Sequence, residues 1–203
     1  MIRLHGTPKS RNFRCIWAAE EAGLAYEIVP VGFGPGMKSP AHLRVNPNGK
    51  IPAMEDGELV LFESLAINLH LAAKAGPPLM PAGADASRVL QWTLWAATEV
   101  EPAAMQWAYN TYLRPEKERD PGQAAAGAAA LNARLDVLEQ HLAGRDFLLG
   151  GAFTIADCNL AGVLYGAWAN RFDWTGHARV KAWLDRCLAR PAAEKARALR
   201  EAA

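Results

Sequence analysis

Residues 46–64 read NPNGKIPAMEDGELVLFES, and the order of residue types in this stretch decides the fold. Ala53–Glu55 and Leu59–Phe62 are short apolar runs, predicted as strands. Asp56-Gly57 between them is a strong hairpin signal, because glycine takes the positive φ that a tight primed turn demands. Ser64 then opens a helical pattern over 64–75 with Leu65, Leu69 and Ala72 directed inward. Pro52 stands at the start of the first strand and has no N–H to donate. A cis Ile51–Pro52 bond would turn the backbone of Ile51 outward. Its N–H and C=O would then be open to a peptide laid alongside as an added strand. The plainer reading is a trans proline on an edge strand.

Upstream, Ile2–Leu4 reads as a buried strand. Residues 11–23 read as a helix with Phe13, Ile16 and Trp17 on one face and Gly23 as its stop. Tyr26–Val31 is a second strand. Residues 32–38 hold three glycines and one proline and read as loop. Residues 39–45 suit a short helix. The order β-α-β-α-β-β-α gives a mixed sheet covered by helices. Downstream, GPPLMPAGAD at 76–85 cannot continue a helix and reads as a linker. Beyond it the chain turns rich in Ala, Leu and Trp at helical spacing. Helices are expected near 86–113, 121–143, 154–169, 178–188 and 191–201. The run AAAGAAA at 124–130 reads as a helix with a close-packed small face. The expected division is an α/β domain over 1–77, a linker over 78–86 and an all-helical domain over 87–203.

The bulk numbers narrow the function classes. A chain of 203 residues with 51% hydrophobic and 21% charged residues suits two small globular domains. A formal net charge of +1 gives no electrostatic case for nucleic acid or an anionic membrane as partner. Cys15, Cys158 and Cys187 are sparse and odd in number, in no metal or disulfide spacing, which suits a reducing cytoplasm. MIRLHGTPKSR has no long apolar core, so no signal peptide is expected. No stretch nears the roughly 18 apolar residues of a membrane span.

Three segments, LHGTPKSRNFRCIW at 4–17, NPNGKIPAMEDGELVLFES at 46–64 and FLLGGAFTIADCNLA at 147–161, together resemble the cytosolic glutathione S-transferase family. The likeness is to its serine-type, theta/phi-like bacterial members and covers nearly the whole chain. It implies a thioredoxin-like glutathione-binding domain with a mixed four-stranded sheet, followed by an all-helical domain that holds an electrophile. It implies glutathione as co-substrate, no metal, a homodimer and a small apolar electrophile as the second partner. It implies that Pro52 is cis and that Ile51 pairs with the cysteinyl backbone of glutathione. Glu63 and Ser64 match the residues that bind the γ-glutamyl group. The chemistry fits: helix N–H groups attract its carboxylate, and Glu63 accepts from its ammonium. The plainer role of Ser64 is a helix N-cap. Lys38 matches a basic residue that pairs with the glycine carboxylate. Lys50 is a second candidate and His42 a third.

A free thiol has a pKa near 8.5, so little glutathione thiolate exists at neutral pH. A hydroxyl donor at the mouth of the first helix would stabilise it. Ser10 fits, and it precedes Arg14 by four residues, as the catalytic serine precedes an arginine in the serine-type classes. Its plainer role is also a cap. Thr7 and Asn12 are alternatives. No tyrosine precedes Tyr26, Cys15 lies too far into the helix for a cysteine-type nucleophile, and Arg11 stands near the cysteine-type position.

In the helical part, Thr154 and Asp157 form a capping-box variant and read as structural. Met105, Trp107, Tyr109, Tyr112 and Trp168 are candidates for the electrophile pocket, since Met and aromatic side chains make an adaptable apolar wall. For any one of them a place in the core is the plainer reading. The expected function is glutathione S-transferase. The alternatives are a glutathione-dependent isomerase or dehalogenase, and a non-catalytic module on the same scaffold.

Overall fold

A computed structural model of the chain describes residues 1–203. Strands β1 (Ile2–His5) and β2 (Tyr26–Val29) pair in parallel, and β3 (Ala53–Asp56) and β4 (Leu59–Phe62) add antiparallel, in the order β2-β1-β3-β4. Gly57 supplies the hairpin's positive φ of 63°. The period of two sorts the faces. Leu4 lies opposite Met54, both fully buried, while the next pair along is Arg3 opposite Glu55. Arg3 reaches Glu27 at 2.6 Å and Glu55 at 2.9 Å, so one guanidinium spans three strands on the second face.

Helices α1 (Asn12–Glu21) and α3 (Ser64–Ala75) pack on each other. Phe13, Ile16 and Trp17 of α1 are buried, as are Ile67 and Leu71 of α3. Leu69, expected inward, is only half-buried. Helix α2 (Pro40–Val45) starts at Ser39, whose Oγ accepts from the His42 N–H at 3.2 Å. Residues 34–38, expected as loop, close into a 3-10 turn with Pro35 at its second position. Lys74 and His70 of α3 both contact Asp56, and their hydrogen bonds hold its carboxyl below the usual carboxylate range.

The helical part comprises α4 (Ala84–Trp95), α5 (Glu101–Ala108), α6 (Pro121–His141), α7 (Ile155–Ala169) and α8 (Ala178–Leu188). The long helix expected over 86–113 is interrupted by π-helical turns at 96–100 and 109–113. Pro102 has no N–H to close on the carbonyl four residues earlier, and the turn before it widens. Asp120 caps α6 by accepting from Gly122 N and Gln123 N, with Pro121 at the first position. Gly127 sits where α6 meets α5: a Cβ there would lie 2.5 Å from Trp107 N, which explains the small residues of this run.

Helix α9 (Pro191–Ala202) departs from expectation. The compact units are Met1–Ala82 with Ala189–Ala203, and Gly83–Leu188. Composition assigns 191–201 to the helical part, but α9 packs on α1. Buried Ala193 and Ala196 give it a small face, and Arg190 holds both Glu21 oxygens at 2.7 Å. The first break between units also falls at 82/83, and α4 begins inside the expected linker. No helix is long and apolar enough to cross a membrane.

Candidate active site

The sheet brings three distant segments to one end. Strands β1 and β4 finish where β3 begins, since His5 lies opposite Ala53 and Ala53 opposite Phe62. Ser10 follows β1, Ile51–Pro52 immediately precedes β3, and Glu63–Ser64 immediately follows β4. The Cys15 thiol donates to Ser64 O at 3.6 Å and ties α1 to the start of α3. Burial pushes that thiol's pKa up, so Cys15 is a packed neutral group rather than a nucleophile.

The Ile51–Pro52 bond is cis. Ile51 lies outside the strand ladder, which begins at Ala53. The turn before it is anchored from two sides. The carbonyl of Lys50 accepts from Asn46 Nδ2 at 2.7 Å and lies 2.8 Å from His42 Nε2, which must carry the proton because a carbonyl only accepts. His42 is therefore a buried wedge beneath the turn and not a surface cation. Asn46 is a residue that the sequence reading missed. The signal was present in Asn46-Pro47-Asn48-Gly49, where Asn46 Oδ1 accepts from Asn48 N at 3.1 Å as an Asx turn. Lys38 lies over this turn, donating to Asn48 O at 3.2 Å. A Cβ on Gly49 would meet its Nζ at 2.6 Å, and Gly49 has a φ of +58°. Lys38 and Lys50, both exposed, thus flank one turn.

Glu63 has φ 72° and ψ 108°, uncommon for a residue with a Cβ. It, and not Ser64, is the N-cap of α3, and its side chain makes no capping bond. The first intrahelical bond runs from Ile67 N to Glu63 O. The N–H groups of the first turn therefore point out of the helix end without intrahelical acceptors. Ser64 itself is buried. An exposed carboxylate beside open helix N–H groups suits an α-amino acid group, with its adjacent cation and anion.

Ser10 is half-buried. Its hydroxyl donates to Thr7 O at 2.7 Å and accepts from Asn12 N at 3.1 Å. It thus ties the entry to α1, and its one proton is given to the Thr7 carbonyl. Of the alternatives, Thr7 is half-buried, and its Oγ1 accepts from Lys9 N at 3.3 Å. Asn12 is fully buried, packed on Gly6, with neither amide atom hydrogen-bonded. Burial removes Asn12 from contact with a bound thiol.

In the helical unit, Trp107 is buried with edge contacts to Tyr112 and Phe172. Met105 and Tyr112 are half-buried, and Tyr109 is exposed. Trp168 is half-buried, stacked on Tyr165, with its indole N–H donating to Asp185 at 2.8 Å. No cluster of His, Cys, Asp and Glu in the chain is arranged to hold a metal.

Known proteins match over the whole chain. The family model "Glutathione S-transferase, N-terminal domain" matches residues 1–73, and "Glutathione S-transferase, C-terminal domain" matches 121–186. Glutathione S-transferase 3 of Zea mays is 38% identical over 96% of this chain and 92% of its own. A probable glutathione S-transferase of Oryza sativa, GSTF2, is 33% identical over 98% and 96%. Among solved structures, the theta-class glutathione S-transferase of the citrus canker pathogen Xanthomonas axonopodis, with glutathione bound, superposes with a TM-score of 0.89. It is 33% identical over 96% of each chain. The maize glutathione S-transferase I in complex with an atrazine glutathione conjugate gives a TM-score of 0.90 at 32% identity over 98% of each chain.

Proposed function

The chain belongs to the glutathione S-transferase family, a glutathione transferase that conjugates glutathione to electrophiles, and from that premise we propose how its residues divide the task. The γ-glutamyl carboxylate sits at the first-turn N–H groups of α3 with Ser64, and its ammonium at Glu63. The cysteinyl backbone pairs with Ile51, presented by Pro52. The glycine carboxylate meets Lys38 and Lys50. These contacts direct the sulfur toward Ser10, which rotates its hydroxyl from Thr7 O to the thiolate. A hydrogen bond to a charged acceptor contributes about 1.5–3 kcal/mol against about 1 for a neutral one, so the exchange favours the thiolate. At 1.36 kcal/mol per pKa unit, the net gain of about 0.5–2 kcal/mol lowers the thiol by roughly half a unit to one and a half units.

The observation that carries this reading is the meeting of Ser10, Ile51–Pro52 and Glu63–Ser64 at one end of the sheet. The test is Ser10→Ala. The pH profile of kcat/KM should move up by roughly half a unit to one and a half units, and activity at neutral pH should fall about 3- to 30-fold. Full activity in this variant would remove Ser10 from the mechanism. A stability loss of about 1 kcal/mol should accompany the change, because the bond to Asn12 N goes with it.

For the second substrate, Met105, Tyr109, Tyr112 and Trp168 offer an adaptable apolar surface suited to a small apolar electrophile. Trp107 supports it from the core of the helical unit. Three buried free cysteines fit a cytoplasmic setting. Exposed apolar residues support a homodimer: Leu59, Val60 and Phe62 on β4, and Leu90 and Leu94 on α4.

A further inference from the structure

The loop that carries Ser10 is held largely by itself. Ser10 N donates to Thr7 O at 3.0 Å, Lys9 N to Thr7 Oγ1, and Ser10 Oγ to Thr7 O. Pro8 has no N–H at all. Such local turns leave the peptide groups of residues 8–10 with no hydrogen bond from the sheet. Helix α1 holds Ser10 from one side, with Phe13 N donating to its carbonyl at 3.2 Å and Asn12 N to its Oγ at 3.1 Å. The other restraint comes from α9, nearly the whole chain away in sequence. Arg200 Nη1 donates to Pro8 O at 2.9 Å and lies 3.4 Å from Ser10 O. Its guanidinium carbon stands 5.9 Å from the centre of the Phe13 ring. Lys9 Nζ donates to the main-chain oxygen of Ala203 at 2.8 Å, so the loop and the end of α9 grip each other from both sides.

The rest of α9 has anchors of its own. Arg190 forks onto Glu21, and Lys195 reaches Glu20 at 2.9 Å. These pairs fasten the helix to α1 well away from Ser10. Arg200 is therefore not needed merely to keep α9 in place. It is directed at two carbonyls of the Ser10 loop, and one of them belongs to Ser10 itself.

We propose that Arg200 is a positioning residue for the conjugation reaction: it fixes the peptide planes at Pro8 and Ser10 and so sets the direction in which the Ser10 hydroxyl points. A guanidinium is always charged and rigidly planar, and the two N–H groups of Nη1 lie at a fixed angle, so one nitrogen serves both carbonyls. The inference rests on Ser10 being the donor to sulfur.

The test uses the full chain carrying Arg200→Met, which keeps an apolar stem over Phe13 and removes the guanidinium. The pKa of bound glutathione, followed by thiolate absorbance and by the pH profile of kcat/KM, should rise by about one unit. The kcat at neutral pH should drop roughly tenfold, while glutathione affinity stays within about twofold. Arg200→Lys restores a cationic donor without the planar guanidinium and should fall between, and it serves if the Met variant does not fold. Lys195→Met is the control, because it cuts an anchor of α9 away from the loop. It should lower stability without moving the pH profile. In a Ser10→Ala background, Arg200→Met should cost little further activity. If Ser10→Ala is impaired but neither Arg200 variant moves kcat or the thiol pKa, the inference fails and the Ser10 reading stands. If Ser10→Ala keeps full activity, the Ser10 reading fails and carries the inference with it.

Discussion

Glu63 shows how a single residue can work against the stability of its own fold. Its φ of 72° places a Cβ where the backbone crowds it, at a cost of about 1–3 kcal/mol. A glycine would adopt the same turn more freely, yet would offer no carboxylate to the γ-glutamyl ammonium in the proposed site. Two substitutions separate these effects. Glu63→Ala and Glu63→Gly both remove the carboxylate, so calorimetry should find both weaker for glutathione by a similar factor. Alanine keeps the strain and glycine relieves it. Urea unfolding should therefore place the Gly variant about 1 kcal/mol above the Ala variant, even after glycine's larger unfolded-state entropy is counted. Equal stability would mean that the turn carries no strain. Unchanged glutathione affinity would mean that Glu63 is no ligand. His42 teaches a related lesson: a residue type that suits anion binding in the sequence proves to be buried beneath the Lys50 carbonyl, and only packing could reveal that.

At the scale of elements, the start of α7 organises the helical unit. Asp157 is fully buried, and its carboxylate accepts from Leu148 N at 2.8 Å, Thr154 N at 2.9 Å and the Trp183 indole at 3.0 Å, with Thr154 Oγ1 at 3.1 Å. Burial pushes its pKa above the ordinary carboxylate value, and these hydrogen bonds pull against that. One side chain thus joins the 147–153 loop, the first turn of α7 and α8. Asp157→Ala would leave several buried donors unpaired at about 1–3 kcal/mol each. The expected loss is at least about 3 kcal/mol, a large share of the roughly 5–15 kcal/mol that holds a domain folded, readable as a shifted urea midpoint. A loss under about 1 kcal/mol would mean that water replaces the carboxylate. The capping half of this role was legible in Thr154-Ile155-Ala156-Asp157. The bonds to Leu148 and Trp183 were not, because they depend on how a loop and a second helix pack.

At the scale of the whole chain, what the sequence discloses tracks how local each determinant is. The hairpin and the starts of α1 and α3 each sit within a few residues of their signals, so the end of the sheet that carries Ser10, Ile51 and Glu63 is readable from short strings. The membership of α9 was not, because it depends on Arg190 meeting Glu21 and Arg200 meeting Pro8, far apart in sequence. Assembly is the same problem one level up. Strand β4 is an outer strand of the sheet, and Leu59, Val60 and Phe62 on it are 39–43% exposed. An uncovered apolar edge strand invites pairing with another chain. On α4, Leu90 and Leu94 are 45% and 63% exposed and one turn apart, so they share a face. The proposed homodimer would cover exposed apolar residues of this kind with a second copy. Light scattering should then give twice the mass of the chain. If Leu94 lies in the proposed interface, Leu94→Arg should shift the mass toward a single chain, with little change in the unfolding of the separated protomer, since Leu94 is 63% exposed and makes little of its own core. A single-chain mass for the unaltered protein would leave these exposed side chains without a partner of the same kind and would end the homodimer reading.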